Sequence, residues 1–383
     1  MRSDAAALVL AALLAGCGHA PSAPPPAPPD LSRGQVPRLY GPEALRQSLN
    51  SLLARPFDDT VAVEVLYATN RALKGDPAEC DDDGFGVDLS TAASYGLCQL
   101  NVPKRRGVGG FEVAPNPRAD THRYFRTLAH ESLDAAALAE RLGRQSGRDP
   151  LVFVHGFNVK FQEAVLRAAQ IGYDLKYQGP LVLFSWPAGS SEGILESALI
   201  TRTYDVNRGN AAKAVEPAAE FFKLLAGSST TFHVMVHSMG HQVVLPALAK
   251  AAKDWDRPRI GELILNAPDI QLRDFQRLVH NLRKAAERIT VYCSYNDNAI
   301  AASETYNKNR RLGACERVPG VDVVNVGEID APALGIGGLG HGYYASRPIL
   351  TDIHQVLLGI EASKRLFIRR SEPNSTEDYY LRP

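Results

Sequence analysis

Between Phe232 and Val244 the sequence reads FHVMVHSMGHQVV. An apolar, β-branched run meets Ser238 and then, past Met239 and Gly240, passes directly into a helical pattern. A strand that turns into a helix without an intervening loop holds the residue at the corner in a tight turn. Its side chain is lifted above the sheet edge, over a helix N-terminus. This geometry requires a parallel sheet with helices packed on it, and so constrains the whole chain. Gly240 lets strand and helix approach closely. The other position of this turn that is usually small holds Val236, so the turn has to tolerate a β-branched side chain. The competing reading is a chance HSMG at an ordinary strand–helix junction.

The rest of the chain supplies that sheet. Strands are expected at Val61–Thr69, Leu151–Val154, Leu181–Trp186, Phe232–Val236, Leu263–Leu265, Ile289–Cys293 and Val321–Val326. Helical periodicity is expected at Lys160–Tyr177, Ala211–Ala226 with Pro217 at a turn or kink, Gln242–Lys253, Phe275–Ala286 and Ile349–Ile360. Alternation of this kind implies crossover units, and short all-apolar strands imply a sheet covered on both faces. The expected class is α/β, with a mostly parallel central sheet and helices on both faces. Asp76–Arg118 is polar and Gly-rich, and reads as an irregular region or a strand excursion. Gly189–Arg208 is a candidate cap over the site.

Hydrophobic residues make up 45% of the 383, enough for a sizeable core. Lys plus Arg and Asp plus Glu are each 42. This balance lacks the broad cationic field of nucleic-acid binders, although a local basic patch stays compatible with it.

The N-terminus reads as an address. Ala5–Leu14 is apolar behind Arg2 but too short to span a bilayer, which takes about 20 residues. Leu14, Ala15, Gly16 and Cys17 resemble the lipobox of bacterial lipoproteins. That resemblance implies cleavage before Cys17, lipidation of Cys17 and, with Gly18 where a retention aspartate would sit, the outer membrane. An ordinary secretory signal is the alternative. Pro-rich residues follow and favour an extended spacer. The expected organisation is a signal over 1–16, a linker over 17–35, a catalytic domain over 36–365 and a polar tail over 366–383, mobile from Ser371 to Pro383. Export also fits disulfides among Cys80, Cys98, Cys293 and Cys315, for which three pairings exist. The nearest-neighbour pairing closes two local loops.

A serine is a weak nucleophile until a base takes its proton and a carboxylate orients the base. On sheets bearing such a turn the chain order is serine, acid, histidine. His341, in GLGHGYY after the last strand, is the candidate base, and His354 inside the final helix is its rival. Asp297, after the penultimate strand, is the candidate acid, with Asp269 in LNAPDI as the alternative. For either aspartate, a helix cap or turn is the plain structural role. An oxyanion needs backbone N–H donors. Met239, after the serine, and Phe157, in VFVHGFN, are the candidates, with Asn158 orienting the loop. His233, His237 and His241 are spaced by four, but a strand and a helix divide them, so no metal site is expected.

These pieces, with YATNR (Tyr67–Arg71), FSWPAG (Phe184–Gly189), Tyr204 and Asp205, SYNDNA (Ser294–Ala299) and GHGYY (Gly340–Tyr344), resemble a bacterial α/β-hydrolase family, domain of unknown function 900. The resemblance covers about residues 61–360 and implies the α/β-hydrolase fold and a Ser-Asp-His hydrolase with no stated substrate. The expected activity is hydrolysis of small-molecule or lipid carboxylic esters in the bacterial envelope, with no metal or organic cofactor. The alternatives are an amidase or peptidase with the same residues, and a non-catalytic binding lipoprotein. Oligomeric state is not legible.

Overall fold

The computed structural model describes residues 59–74, 80–116, 118–144, 148–190, 197–229, 231–329 and 341–382. The expected signal, Cys17 and the Pro-rich linker lie outside the described residues. Elements follow in the order β1 (Thr60–Leu73), β2 (Phe85–Pro103), β3 (Arg126–Leu133), α1 (Ala135–Arg144), β4 (Leu151–Val154), α2 (Phe161–Asp174), β5 (Leu181–Ser185), α3 (Ser197–Ser228) and β6 (Phe232–His237). They continue as α4 (Gly240–Ala251), β7 (Ile260–Asn266), α5 (Leu272–Ala285), β8 (Ala286–Cys293), α6 (Asn298–Asn307), β9 (Asp322–Asn325), α7 (Arg347–Leu357), β10 (Ile368–Arg370) and β11 (Tyr379–Leu381).

Among the described residues these strands form one sheet, in the order β10-β11-β9-β8-β7-β6-β4-β5-β1-β2-β3. From β1 across to β11 every pairing is parallel. Strands β2 and β10 run antiparallel to their neighbours. The chain is therefore an α/β fold with a mostly parallel central sheet, as its strand–helix alternation implies. Strands β4 and β7 are buried along their whole length, as expected of strands covered on both faces. One face carries α1, α3, α4 and α5, through residues such as Leu138, Phe221, Val243 and Phe275. The other carries α2 and α7, through Phe161, Val165, Ile349 and Ile353.

Strand β4 leads through α2 to β5 on one side, and α3 then carries the chain back to β6 on the other. The order reverses between β4 and β6, and a crevice opens at such a switch point beyond the strand C-termini.

Two expectations change and one is decided. Of the two readings of Asp76–Arg118 the strand excursion holds, with β2 pairing along β1 from Thr60↔Pro103 to Leu73↔Phe85. Pro217 lies inside a single helix of 32 residues rather than ending one. The apolar face on both sides of it, Ala211, Ala214, Ala218, Phe221, Phe222 and Leu225, packs fully buried on the sheet and outweighs the lost backbone hydrogen bond. The stretch 366–382, expected as a polar tail that is mobile from Ser371, instead supplies β10 and β11 to the sheet. Alternate residues Ile368, Tyr379 and Leu381 are buried, the Asp378 N–H donates to Val323 O, and the Arg317 side chain donates to Glu377 O and Pro373 O. A polar composition hid two short strands at one end of the sheet, β10 at its edge and β11 inside it.

Cys80 is bonded to Cys98 and Cys293 to Cys315, the nearest-neighbour pairing. By the chain-entropy argument, loops of this length stabilise by about 3 kcal/mol each.

Candidate active site

Ser238 follows β6 with φ +52°, a left-handed conformation that a non-glycine residue adopts only under tight constraint. Its N–H donates to Asn266 O at 3.0 Å, and its carbonyl accepts from His241 N–H at 3.2 Å and from the His241 Nδ1–H at 2.6 Å. The turn is thus fastened to β7 on one side and to the first turn of α4 on the other. Gly240 is needed here. A Cβ at that position would lie 2.5 Å from His155 O and 3.2 Å from Val236 Cγ1. The absent side chain at 240 thereby accommodates the bulk at Val236.

His341 stands over this serine, with Nε2 2.7 Å from Ser238 Oγ. Its Nδ1 lies 2.7 Å from Asp297 Oδ2. Because the carboxylate can only accept, Nδ1 carries the proton and Nε2 presents its lone pair to the hydroxyl. Asp297 also caps α6, its Oδ1 accepting from the N–H groups of Ala299 and Ile300 at 3.0 Å each. The two readings of this aspartate, helix cap and histidine partner, hold together, one on each oxygen. Asp297 is 2% exposed, and its charge sits on a helix N-terminus whose dipole favours an anion.

The rivals lie elsewhere. Asp269 spends its oxygens on Tyr204 Oη (2.9 Å), Ser303 Oγ (2.6 Å) and the Arg311 guanidinium (3.2 Å). His354 Nδ1 donates to Leu175 O on α7's own face of the sheet. His237 and His241 flank the serine, whereas His233 sits back on β6 with Nδ1 accepting from Glu262 N–H.

The His341 segment is held by its neighbours. His237 Nε2–H donates to the His341 carbonyl at 3.2 Å, and the His237 ring stacks on Tyr344 at 4.0 Å. Burial first, and the His341 ring second, hold His237 well below the ordinary imidazole range, so it stays a neutral donor. Glycines 338 and 340 of this loop lie outside the described residues, as do residues 191–196 of the expected cap. Its remainder, from Ser197, is the start of α3.

The loop after β4 completes the site. A Cβ on Gly156 would come within 2.7 Å of Ser238 Cβ, so the chain at Gly156 lies directly against the serine. Among the described hydrogen bonds, neither the Phe157 nor the Met239 backbone N–H has an acceptor. Asn158, expected to orient the loop, does so through its backbone, with φ +56° and its N–H donating to Asn207 Oδ1 at 3.1 Å. Fully buried Asn207 also bonds Gly189 N and O. Sequence reasoning missed Asn207, which carries no local motif. It also missed the role of Arg71, which was legible only as part of YATNR.

The arrangement presents a hydroxyl, an imidazole on it, a carboxylate behind the imidazole and, on the adjoining residues, two N–H groups that have no acceptor among the described residues. Residues 130–360 match the family model described as an alpha/beta hydrolase of unknown function (DUF900). The match spans more than half of the chain, which therefore belongs to this family. No match is found among curated proteins.

Proposed function

We propose that this chain is a serine hydrolase of carboxylic esters. Membership of an alpha/beta-hydrolase family makes hydrolysis the activity class. The finer reading rests on one observation, the unbroken chain of 2.7 Å contacts from Ser238 Oγ through His341 to Asp297.

In this reading Ser238 Oγ attacks the acyl carbon as His341 Nε2 takes the hydroxyl proton. The carbonyl π electrons move onto oxygen, and the Phe157 and Met239 N–H groups receive the oxyanion. The tetrahedral intermediate collapses, the bond to the leaving alkoxide breaks, and His341 gives it the proton. Water then attacks the acyl-enzyme with His341 again as base, releasing the acid and restoring Ser238. Asp297 stays ionised throughout, fixing the tautomer and stabilising the imidazolium. Anchoring through Cys17 in the bacterial envelope belongs to the same proposal and is supported by the Leu14–Cys17 sequence and the Pro-rich residues after it.

The test is turnover of p-nitrophenyl esters of short and long acyl chains beside matching anilides. Ester turnover by the wild type, absent in Ser238→Ala, supports the proposal. Anilide turnover with inert esters would move it to amidase, and no turnover of either would favour a binding protein.

A further inference from the structure

Arg71 is fully buried at the end of β1, yet among the described residues no carboxylate pairs with it. Its donors go instead to the strand ends around the oxyanion loop. Nη1 donates to Gly86 O (3.0 Å) and Ala188 O (2.9 Å), Nη2 to Val159 O (2.7 Å), and Nε to Ser185 Oγ (2.9 Å). A buried guanidinium is costly to keep, so its placement calls for a reason.

The reason lies one bond further on. Ser185 Oγ is 3.1 Å from His155 Nε2, and His155 Nδ1 is 3.0 Å from Gly156 O. Proton directions follow by elimination. Gly156 O can only accept, so Nδ1 carries the proton. Burial first, and then the Arg71 charge, push the His155 ring down to about 3, so it is neutral and Nε2 holds a lone pair. Ser185 therefore donates to Nε2 and accepts from Arg71. The Arg71 Nη2 group, 3.5 Å from Nε2, also faces that lone pair. Strands β1, β5 and β4 are neighbours in the sheet, which is what brings the three side chains into line.

The chain ends on a particular peptide. The carbonyl of Gly156 and the N–H of Phe157 belong to one planar unit and point in opposite directions when trans. A donor on Gly156 O fixes the direction of the Phe157 N–H and draws electron density away from it. Successive hydrogen bonds that start from a cation polarise one another in the same sense.

We propose that Arg71, Ser185 and His155 form a buried relay that aims and polarises the Gly156–Phe157 peptide, the oxyanion donor of the reaction proposed above. The inference rests on that reading of the site. All three are positioning residues, and none touches substrate.

The test uses the full chain and two variants of the relay. Ser185→Ala removes one hydroxyl and leaves the other Arg71 bonds in place. It is expected to lower kcat about 10-fold with KM within 2-fold, less than the loss of a whole oxyanion donor. The Ki of a trifluoromethyl ketone, whose adduct carries the oxyanion, is expected to rise by the same factor. His155→Asn places an amide nitrogen near the position of Nδ1 and is expected to recover part of the kcat lost in His155→Leu. In selectively 15N-phenylalanine-labelled protein, the Phe157 amide proton is expected to move upfield in Ser185→Ala, and this readout needs no turnover. Unchanged kcat and amide shift in Ser185→Ala, with active wild type, would overturn the relay alone. A kcat loss without a matching rise in Ki would also overturn it. Wild type inert towards the esters would overturn the hydrolase reading and the relay with it.

Discussion

Asp297 divides its two carboxylate oxygens between two tasks, with Oδ2 2.7 Å from His341 Nδ1 and Oδ1 on the second and third amides of α6, those of Ala299 and Ile300. Substitution separates the tasks. Asn is as good a helix cap as Asp but leaves His341 in the wrong tautomer. Asp297→Asn is expected to lower kcat about 10⁴-fold with little change in Tm. Asp269→Asn should do the reverse. It breaks a buried pair with Arg311 and is expected to cost about 3 kcal/mol of stability, with kcat within about 10-fold. Kinetics and melting of both variants decide the acid, and a larger kcat loss in Asp269→Asn would reverse the assignment.

Two glycines set the space around the serine, and added methyl groups report on it differently. At Gly156 the methyl would push on Ser238 Cβ at 2.7 Å, so Gly156→Ala is expected to lower kcat about 100-fold through misplacement of the nucleophile. At Gly240 it would meet a backbone carbonyl at 2.5 Å, so Gly240→Ala is expected to lose about 1–3 kcal/mol of stability as well as activity. Denaturant melts beside kcat separate the two. A Gly156→Ala protein of full activity would show that the β4 loop stands back from Ser238.

The two disulfides should also behave differently. Cys293–Cys315 brackets the segment bearing Asp297 and α6, whereas Cys80–Cys98 ties β2 to the chain before it. Removing either pair as a double Ala variant is expected to cost about 3 kcal/mol. Only loss of Cys293–Cys315 is expected to lower kcat at temperatures where the protein remains folded, because that bridge fixes where Asp297 stands. Equal kcat in both variants would show that α6 needs no such tether.

Three buried imidazoles and the largely buried His233 lower stability in acid, and they outnumber the buried carboxyl of Glu262, which burial raises to about 7 and which acts in the opposite sense. Burial pushes His155 and His241 down to about 3 and His233 to about 4, and holds His237 well below the ordinary range. Unfolded imidazoles titrate near 6.5. Below that pH the unfolded chain binds protons that the folded one refuses, so the contribution is complete above about pH 6.5 and is lost as pH falls towards the folded values. Each group removes up to about 1.4 kcal/mol per pH unit over that window. Urea midpoints are expected to fall between pH 7 and pH 5, with a shallower slope in His233→Asn, which keeps an acceptor for Glu262 N–H. A midpoint that rises on acidification would contradict this account.

Local features were readable in advance and distant pairings were not. The turn at Ser238 is written in adjacent residues, so its left-handed φ and its helix follow from FHVMVHSMG. His341 was legible because it follows the last strand of the parallel run, where the chain order places the base. Asp297 and Asp269 both follow strand ends, and sequence order cannot divide them. Tyr204, Ser303 and Arg311 divide them in space by occupying Asp269. Arg71, Ser185 and His155 meet only because β1, β5 and β4 are neighbours, and nothing near Arg71 announces its partners. Pro217 and the strands beyond residue 366 were misread because composition was weighed without the packing that overrides it.

The central claim is that Ser238 is a nucleophile made reactive by His341. The most direct measurement is intact-protein and peptide mass spectrometry after treatment with a fluorophosphonate. The expected result is one adduct per folded molecule, located on Ser238, absent in Ser238→Ala and after unfolding, and formed at least about 100-fold more slowly in His341→Ala. A folded wild type that gains no adduct, or gains it at another residue, or a His341→Ala protein that reacts at the wild-type rate, would contradict it.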